Sequence, residues 1–269
     1  MTDCEYKAQR LREIIMALDS VVVAFSAGVD STYLLAACVD MLGPQRVLAV
    51  TAHSDSLPEQ ELVDARALAA QIGVTLEVVV TNELSNPAYV QNDRNRCWHC
   101  KNELFSILWP LARARGLAHV VYGANADDVG DHRPGMQAAQ QHGIRAPLLE
   151  AGLGKADIRS LSQQRGLPTH NKPALACLAS RIPYGNPVTI EALHQVARAE
   201  AFLKEELTLH QVRVRHHGMV ARLEVEACDI LRLAQPDIRE RITAELRRIG
   251  FTYVTLDLDG FRSGSMNES

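Results

Sequence analysis

Apolar and polar positions alternate along the first part of the chain with two different periods. Short runs rich in valine predict strands, and longer segments with apolar residues three to four positions apart predict helices. The predicted strands cover residues 20–25, 46–51, 75–80 and 119–123, and the predicted helices cover residues 31–41, 60–72, 101–115 and 155–165. This alternation is typical of βαβ units, so we expect an α/β fold with a doubly wound parallel sheet. Its ligand site should lie at the carboxyl ends of the strands.

The pattern changes in a proline-containing stretch at residues 171–187, which predicts a structured loop between two domains. Beyond this stretch, a smaller α+β domain is predicted. Its helical periods cover residues 190–206 and 229–249, and its strand periods cover residues 211–215, 219–225 and 253–258. We therefore expect one domain at residues 1–170, a linker loop at 171–187 and a second domain at 188–269.

Composition narrows the classes of protein to which the chain can belong. Of its 269 residues, 47% are hydrophobic and 22% are charged, and the formal net charge is −4. These values are ordinary for a soluble protein and exclude the strong basic excess of a nucleic-acid binder. The first residues lack the features of a secretion signal, and no apolar run approaches the ~20 residues that span a bilayer. We expect a cytoplasmic protein without a membrane partner.

Between the first predicted strand and the first predicted helix, the chain turns sharply through Ser26-Ala27-Gly28-Val29-Asp30-Ser31. Backbone N–H groups in such a turn, together with the N-terminus of the helix, favour binding of a phosphate. Ser26 and Ser31 can donate hydroxyl hydrogen bonds to it, and Asp30 can cap the helix or bind Mg²⁺. The alternative is a tight turn that binds no ligand.

Six cysteines in a reducing compartment indicate packing, metal binding or catalysis rather than a disulfide framework. Cys97 and Cys100 form a CxxC just ahead of a predicted helix, and Cys177 lies in the linker loop. A CxxC can bind zinc, act as a redox dithiol or ligate an iron-sulfur cluster. The chain has no second CxxC, which excludes a closed four-cysteine zinc site. Cys38 and Cys228 are interpreted as packing residues.

The turn at residues 26–31 resembles the SGGxDS signature of the PP-loop ATP pyrophosphatases, a HUP-like α/β class that cleaves ATP between its α and β phosphates. The resemblance implies ATP and Mg²⁺ as cofactors. The sequence departs from the signature at Ala27, where the family has a glycine. This difference bears on the loop geometry, because alanine does not easily adopt a positive φ. By the same resemblance, the ATP-binding residues are Ser26, Ala27, Gly28, Val29, Asp30, Ser31, Thr51, Gly123 and Asp127, and the Mg²⁺ ligands are Asp30 and Asp128.

A second resemblance covers nearly the whole chain. Besides the turn at 26–31, it rests on Arg96-Cys97, Cys100-Lys101, Leu104-Phe105, Arg133-Pro134-Gly135, Cys177, Tyr184-Gly185 and residues 260–267. These motifs are similar to those of the ATP-dependent sacrificial sulfur transferases of the LarE type. That family supplies sulfur for the nickel-pincer nucleotide cofactor of lactate racemase, by turning carboxylates of a pyridinium mononucleotide into thiocarboxylates. The resemblance implies an enzyme of this activity that releases AMP and pyrophosphate.

The cysteines indicate which kind of LarE-type protein the chain resembles. Some members give up the sulfur of one cysteine, whose position aligns with Ala176 here. Others hold a 4Fe-4S cluster with three cysteines, and the open iron binds an extra sulfide for delivery. The resemblance therefore implies that Cys97, Cys100 and Cys177 are catalytic and bind such a cluster. It also makes the first domain the PP-loop domain and the second the sulfur-transfer and substrate-binding domain, joined by a cysteine-bearing loop.

A mononucleotide with a phosphate and two carboxylates requires fixed cations. Arg213 and Arg215 alternate along one predicted strand and share a face, where guanidinium groups could bind phosphate bidentately; a solvated strand face is the alternative. The resemblance implies a substrate-phosphate site of Arg181, Arg213, Arg215 and Arg262, with Glu200 and Glu224 as Mg²⁺ ligands, arginine-orienting groups or plain surface carboxylates. Similar proteins assemble as hexamers, so a homo-oligomer is expected.

Two other functions stay open at this point. Some PP-loop tRNA thiolases also join three cysteines to a cluster, although a net charge of −4 and the lack of a basic belt disfavour nucleic acid as a partner. A nucleotide-binding or zinc-stabilised module without turnover would also account for a CxxC that encloses His99.

Overall fold

The structure is a computed structural model that describes residues 2–129, 134–173 and 176–262. The chain forms two compact units, one from Met1–Glu83 with Asn95–Leu175 and the other from Leu84–Arg94 with Ala176–Ser269. The α-helices in chain order are α1 Asp3–Met16, α2 Val29–Leu42, α3 Glu59–Ile72, α4 Pro87–Val90, α5 Arg96–Ala114, α6 Pro134–Gln141, α7 Pro147–Glu150, α8 Lys155–Gln164, α9 Ile190–Glu205, α10 Ala227–Leu233 and α11 Pro236–Ile249. The strands are β1 Val21–Ala24, β2 Val47–His53, β3 Thr75–Val80, β4 His119–Tyr122, β5 Val212–His217, β6 Val220–Val225 and β7 Tyr253–Leu256.

The first unit is built on a parallel sheet with the strand order β3-β2-β1-β4. β1 is buried along its whole length, which explains its continuous run of apolar residues. Because successive side chains of a strand point to opposite faces, Val21 and Val23 pack in a core with α1, α2 and α8. Val22 and Ala24 pack in a second core with α5 and α6. Helices on both faces confirm the predicted doubly wound α/β fold.

The second unit contains a three-stranded sheet with the order β5-β6-β7. β5 and β6 are antiparallel, whereas β6 and β7 are parallel. Leu203 of α9 and Leu246 of α11 are fully buried against Val214 and Leu223 of the sheet, and together they form one apolar core. This is the small α+β arrangement that the sequence predicts.

Some elements differ from their predicted bounds for identifiable reasons. The predicted helix at 229–249 is two helices, because Pro236 has no N–H to donate and Gln235 before it is extended, with a ψ of 141°. α5 begins at Arg96, so the CxxC lies inside the first turns of the helix rather than ahead of it. Helices α1 and α6 and the short helices α4 and α7 were not predicted; α1 begins with a capping box between Thr2 and Glu5.

Three further observations bear on the sequence predictions. The second unit takes up residues 84–94, which no sequence pattern indicates, and its later part begins inside the predicted linker loop. Cys38 is buried in the core, but Cys228 is exposed in α10, so the interpretation of Cys228 as a packing residue is wrong. In the part of the chain that the structure describes, no helix combines the length and the apolar character needed to cross a membrane.

Candidate functional site

The predicted phosphate loop lies where the sequence places it, between the carboxyl end of β1 and the N-terminus of α2. Gly28 is the N-cap residue of α2 and supplies no side-chain hydrogen bond to the first turn. The N–H groups of this turn can therefore serve an anion, with the helix dipole adding to the attraction. The hydroxyl oxygens of Ser26 and Ser31 lie 3.1 Å apart, and the Ser26 N–H donates to Ser31 Oγ at 3.3 Å. The turn is thus closed by its own two serines.

Ala27 stands where the PP-loop signature has a glycine, and its backbone adopts the left-handed conformation that glycine favours. Its φ is +56°, and its side chain is fully buried. A left-handed conformation costs an L-residue other than glycine about 1–2 kcal/mol. The loop therefore keeps the backbone geometry that glycine would favour, with a small strain at this position.

Neighbouring strands support the loop from two sides. Thr51 is buried at the end of the apolar part of β2, and its hydroxyl donates to the carbonyl oxygen of Phe25 at 2.8 Å. Gly123 follows β4, and a Cβ built there would lie 2.8 Å from the backbone nitrogen of Ser31. Glycine is therefore required at position 123 for the end of β4 to approach the N-terminus of α2 so closely.

The two carboxylate oxygens of Asp30, in the first turn of α2, differ in their hydrogen bonds to the described residues. Its Oδ2 accepts hydrogen bonds from Asn125 Nδ2 at 3.2 Å and from Lys155 Nζ at 3.1 Å. Its Oδ1 is buried and has no hydrogen-bond partner among the described residues. A buried carboxylate oxygen in this state fits a ligand position for Mg²⁺. Sequence reasoning missed the contacts of Asn125 and Lys155 with Asp30, because both residues lie far from Asp30 along the chain.

The two acidic residues after β4 are held in local caps. Asp127 Oδ2 accepts from the backbone N–H of Lys155 at 2.7 Å, which caps the start of α8. Asp128 Oδ2 accepts from the backbone N–H of Asn125 at 3.0 Å, within the short 3₁₀ helix Ala126–Asp128. Both carboxylates therefore organise the loop that carries Asn125 to Asp30, and their roles in ATP and Mg²⁺ binding stay predictions.

The CxxC lies on α5 of the first unit, with its two cysteines about one helical turn apart and so on one face of the helix. Cys97 is exposed and Cys100 is half-buried. The Cys100 thiol donates to Glu83 Oε1 at 3.5 Å, and the Thr81 hydroxyl donates to the same oxygen at 3.1 Å. Glu83 itself is buried, which the sequence did not indicate.

Cys177 lies in the second unit, half-buried, immediately before the short 3₁₀ helix Leu178–Arg181. The described cysteines are not joined in disulfides, and thiolate sulfur is the donor that an iron-sulfur cluster takes. Among the described residues, the group of metal-ligand types gathered within 4.8 Å is Glu226, Cys228 and Asp229 on the surface, which no sequence motif suggested. A joint site of Cys97, Cys100 and Cys177 stays a prediction.

Charged side chains are buried next to the backbone of Cys177 in the second unit. Arg181 and Glu200 form a bidentate ion pair, with Nε to Oε1 and Nη2 to Oε2 both at 2.9 Å. Burial alone would raise the pKa of Glu200, but the charge and hydrogen bonds of Arg181 hold it below its ordinary value. The expectation that Glu200 is a surface carboxylate is wrong, and the same holds for Glu224, which is fully buried.

Glu224 on β6 accepts hydrogen bonds from two arginines, Arg215 on the neighbouring strand β5 and Arg222 on β6 itself. Its Oε2 accepts from Arg215 Nη2 at 2.6 Å, and its Oε1 accepts from Arg222 Nη2 at 3.0 Å. Arg222 also donates to Asp257 Oδ2 at 2.9 Å, and Arg215 donates to the carbonyl oxygen of Ser180 at 3.0 Å. Both predicted Mg²⁺ ligands of this unit, Glu200 and Glu224, therefore orient arginines.

Arg213 and Arg215 are buried on the same face of β5, so the alternative of a solvated strand face is wrong. Burial, followed by the charge of Arg181, lowers the pKa of Arg213 to about 10. The guanidinium of Arg213 lies over the ring of Phe261, 5.4 Å from its centroid. Arg262 is half-exposed and pairs with Asp259. Residues 263–267 and Arg133 of the LarE motifs lie outside the described residues.

The sheet is parallel, and a loop whose N–H groups can bind an anion follows the carboxyl end of the central strand β1. This loop ends in the sequence Gly28-Val29-Asp30-Ser31. Together these features define a PP-loop α/β protein of the HUP-like class. The model of the NAD synthase family matches residues 5–123, the part of the chain that contains this loop.

Relatives extend the similarity over the whole chain. It is 45% identical to the uncharacterized protein slr1717 of Synechocystis over 98% of this chain and 97% of the relative. It is 37% identical to pyridinium-3,5-bisthiocarboxylic acid mononucleotide synthase of Lactiplantibacillus plantarum, over 94% of this chain and 90% of that enzyme. The uncharacterized protein MJ0830 of Methanocaldococcus jannaschii is 26% identical over 90% of this chain and 91% of its own length. The chain belongs to the LarE family of PP-loop proteins, together with the synthase from Lactiplantibacillus plantarum.

Proposed function

We propose that this protein is an ATP-dependent sulfurtransferase that adenylates a carboxylate of pyridinium-3,5-biscarboxylic acid mononucleotide and then replaces the adenylate with sulfur. The observation that carries the proposal is the phosphate loop with Asp30, whose buried Oδ1 has no hydrogen-bond partner among the described residues. The product named for the 37% identical synthase supports the choice of substrate.

In the first step, an oxygen of the substrate carboxylate attacks the α phosphorus of ATP. The bond to the oxygen that bridges the α and β phosphates breaks, and pyrophosphate leaves with its electron pair. The N–H groups at the start of α2 and the hydroxyls of Ser26 and Ser31 hold the departing pyrophosphate. Asp30 would hold Mg²⁺, which neutralises phosphate charge when bound. Lys155, 3.1 Å from Asp30, adds a positive charge at the same edge of the sheet.

In the second step, a sulfur nucleophile replaces AMP at the activated carbonyl carbon, and the thiocarboxylate forms. Cys97, Cys100 and Cys177 would hold a 4Fe-4S cluster, which supplies a site for an extra sulfide when bound. Cys97 and Cys100 provide two thiols on one face of α5, and Cys177 provides the third. Ala176 stands at the position where other members have a cysteine that they sacrifice, so this chain needs a sulfur source other than that side chain.

The substrate phosphate would bind at the arginines of β5. Arg181, Arg213 and Arg215 bring three guanidinium groups near two buried carboxylates, Glu200 and Glu224, so an added anion would balance the charge of the group. Because Arg213 is deprived of water, an incoming phosphate gains a charge-assisted contact that water does not weaken.

The test is pyrophosphate release and metal content in one set of variants. After anaerobic reconstitution with iron and sulfide, the wild type should show the visible absorbance of a cluster. With ATP, Mg²⁺ and the mononucleotide it should release pyrophosphate. Asp30→Asn should keep the absorbance and lose pyrophosphate release about a hundredfold, the scale on which removed transition-state electrostatics act.

Cys177→Ala is the complementary variant, and it should lose cluster absorbance and thiocarboxylate formation. Exposed Cys228→Ala is its matched control and should retain both. If Cys177→Ala keeps full iron content and activity, the cluster assignment is wrong. Zinc without iron and no pyrophosphate release with substrate would instead favour a binding module.

A further inference from the structure

Within the second unit, the guanidinium of Arg181 donates hydrogen bonds to a carboxylate on one side and to backbone carbonyls on the other. Arg181 is 2% exposed, and its Nε and Nη2 grip both oxygens of Glu200. Its Nη1 donates to the carbonyl oxygens of Ala176 and Cys177, the latter at 3.0 Å, and to Ser180 Oγ at 3.0 Å. One side chain therefore joins a buried carboxylate to the peptide carbonyls before and after the Cα of Cys177.

The carboxylate that Arg181 grips belongs to rigid structure. Glu200 lies on α9, and its Oε1 also accepts the backbone N–H of Val214 on β5 at 3.0 Å. The Ser180 hydroxyl adds a hydrogen bond to the Cys177 carbonyl at 2.7 Å. The carbonyl of Cys177 is thereby fixed to α9 and β5 through Arg181, although Cys177 itself lies in no helix or strand.

Arg181 shares this pairing with both a carboxylate and a backbone carbonyl with Arg215 of β5, which donates to Glu224 and to the carbonyl oxygen of Ser180. A phosphate that bound Arg181 would have to displace either the carboxylate of Glu200 or the carbonyls of the Cys177 segment. Displacing Glu200 would leave a charge buried at 3% exposure without its main partner, which strongly disfavours such binding. The guanidinium of Arg213 lies over the ring of Phe261.

A second polar side chain holds the chain that follows Cys177. Asn92 is fully buried with a φ of +57°, and its Nδ2 donates to the carbonyls of Pro183 and Asn186 at 2.8 Å and of Ile182 at 3.3 Å. The backbone N–H of Gly185 donates to the Asn92 carbonyl at 3.1 Å. Asn92 thus fixes the downstream side of the Cys177 segment, and it also precedes the CxxC by a short stretch of chain.

We infer that Arg181 is a positioning residue that holds Cys177 in place, with Asn92 as the matching anchor downstream, and that it is not a ligand of the substrate phosphate. The inference deepens the proposed function, because it assigns the residues that present the thiol of Cys177. By the same reasoning Arg215 is committed to Glu224 and to the Ser180 carbonyl, so phosphate binding is assigned to Arg213.

The test compares Arg181→Lys with Arg213→Lys. Lysine at 181 keeps a positive charge beside Glu200 but cannot reach Glu200 and the loop carbonyls at once. We expect Cys177 in the Arg181→Lys protein to react with iodoacetamide at least tenfold faster, as measured by mass spectrometry of the Cys177 peptide. In turnover its kcat should fall at least tenfold, while KM for the mononucleotide stays within about twofold. Arg213→Lys should give the opposite result, a raised KM with unchanged alkylation of Cys177.

Asn92→Gly provides an independent variant if Arg181→Lys does not fold. Glycine retains the left-handed backbone without strain and removes the three hydrogen bonds of the amide. Alkylation of Cys177 should again accelerate at least tenfold, in protein whose circular dichroism matches the wild type. Unchanged alkylation in the folded variants, or a tenfold rise in KM with Arg181→Lys, would overturn the inference. The alkylation assay needs neither ATP nor substrate, so it gives the same answer even if the proposed sulfurtransferase reaction fails.

Discussion

The phosphate loop and the arginine cluster of the second unit (Arg181, Arg213, Arg215 and Arg222) are the two regions proposed to bind anions, and they are built on opposite principles. The loop uses backbone N–H groups, two serine hydroxyls and small residues, and its one acidic side chain keeps a buried oxygen without a donor among the described residues. The arginine cluster uses long charged side chains, and the buried carboxylates of Glu200 and Glu224 hold the guanidinium groups of Arg181, Arg215 and Arg222 through bonds of 2.6–3.0 Å.

The two regions therefore differ in the unfavourable free-energy term that their structure carries. In the loop the cost is backbone strain, seen in the φ of +56° at Ala27. In the cluster it is desolvation, seen in the lowered pKa of Arg213, which falls to about 10. Substitutions in the loop should therefore change ligand binding more than stability, whereas substitutions in the cluster should change stability strongly.

The largest expected effect is that of Glu224→Gln on stability. The substitution removes the charge that Arg215 and Arg222 share, at a position with 0% exposure. Breaking a buried pair of this kind destabilises a protein by about 3–5 kcal/mol, and urea unfolding followed by circular dichroism would measure it.

The matched control is Glu245→Gln on the surface of α11, where the carboxylate pairs with Arg248. Solvent screens this exposed pair, so no measurable change is expected. Equal effects of the two substitutions would contradict the view that the cluster depends on buried charge.

A smaller effect should appear in the pH dependence of stability through Glu200. Its pKa in the folded protein lies below its ordinary value of 4.5, because Arg181 outweighs the effect of burial. A lowered carboxyl pKa contributes stability that is fully present above the unfolded pKa and is lost as pH falls through the folded pKa. The difference in unfolding free energy between wild type and Glu200→Gln should therefore shrink below about pH 4.5. A difference that stays constant down to pH 3 would show that Glu200 contributes no charge-dependent stability.

The sequence predicts the phosphate loop well, because the loop depends on local properties. Small residues between a valine-rich strand and a helix dictate the turn, and the position of Ala27 already raised the question of a positive φ. The support given by Lys155 and Asn125 to Asp30 could not be predicted, because those residues come from later parts of the chain that only the fold brings to α2.

The arginine cluster could be predicted only in part. The alternation of Arg213 and Arg215 places them on one face, but the sequence carries no sign of whether that face meets water or protein. Their burial depends on partners far along the chain, such as Ser180 for Arg215. The same limitation applies to Asn92, whose three hydrogen bonds to residues 182–186 leave no local pattern.

The smallest expected effect is that of Ala27→Gly in the phosphate loop. Glycine relieves a left-handed conformation that costs alanine about 1–2 kcal/mol, but it also adds about 0.4–1 kcal/mol of unfolded-chain entropy. The first term is the larger, so the free energy of unfolding should rise by less than about 1.6 kcal/mol. Because the backbone already has the geometry that glycine would adopt, the Kd for ATP, measured by calorimetry, should change by less than about threefold, roughly 0.6 kcal/mol. Leu or Val at position 27, which has no exposed surface, is the contrasting variant and should weaken ATP binding. A large gain in ATP affinity on introducing glycine would mean that the loop binds phosphate in a backbone conformation other than the one at φ +56°.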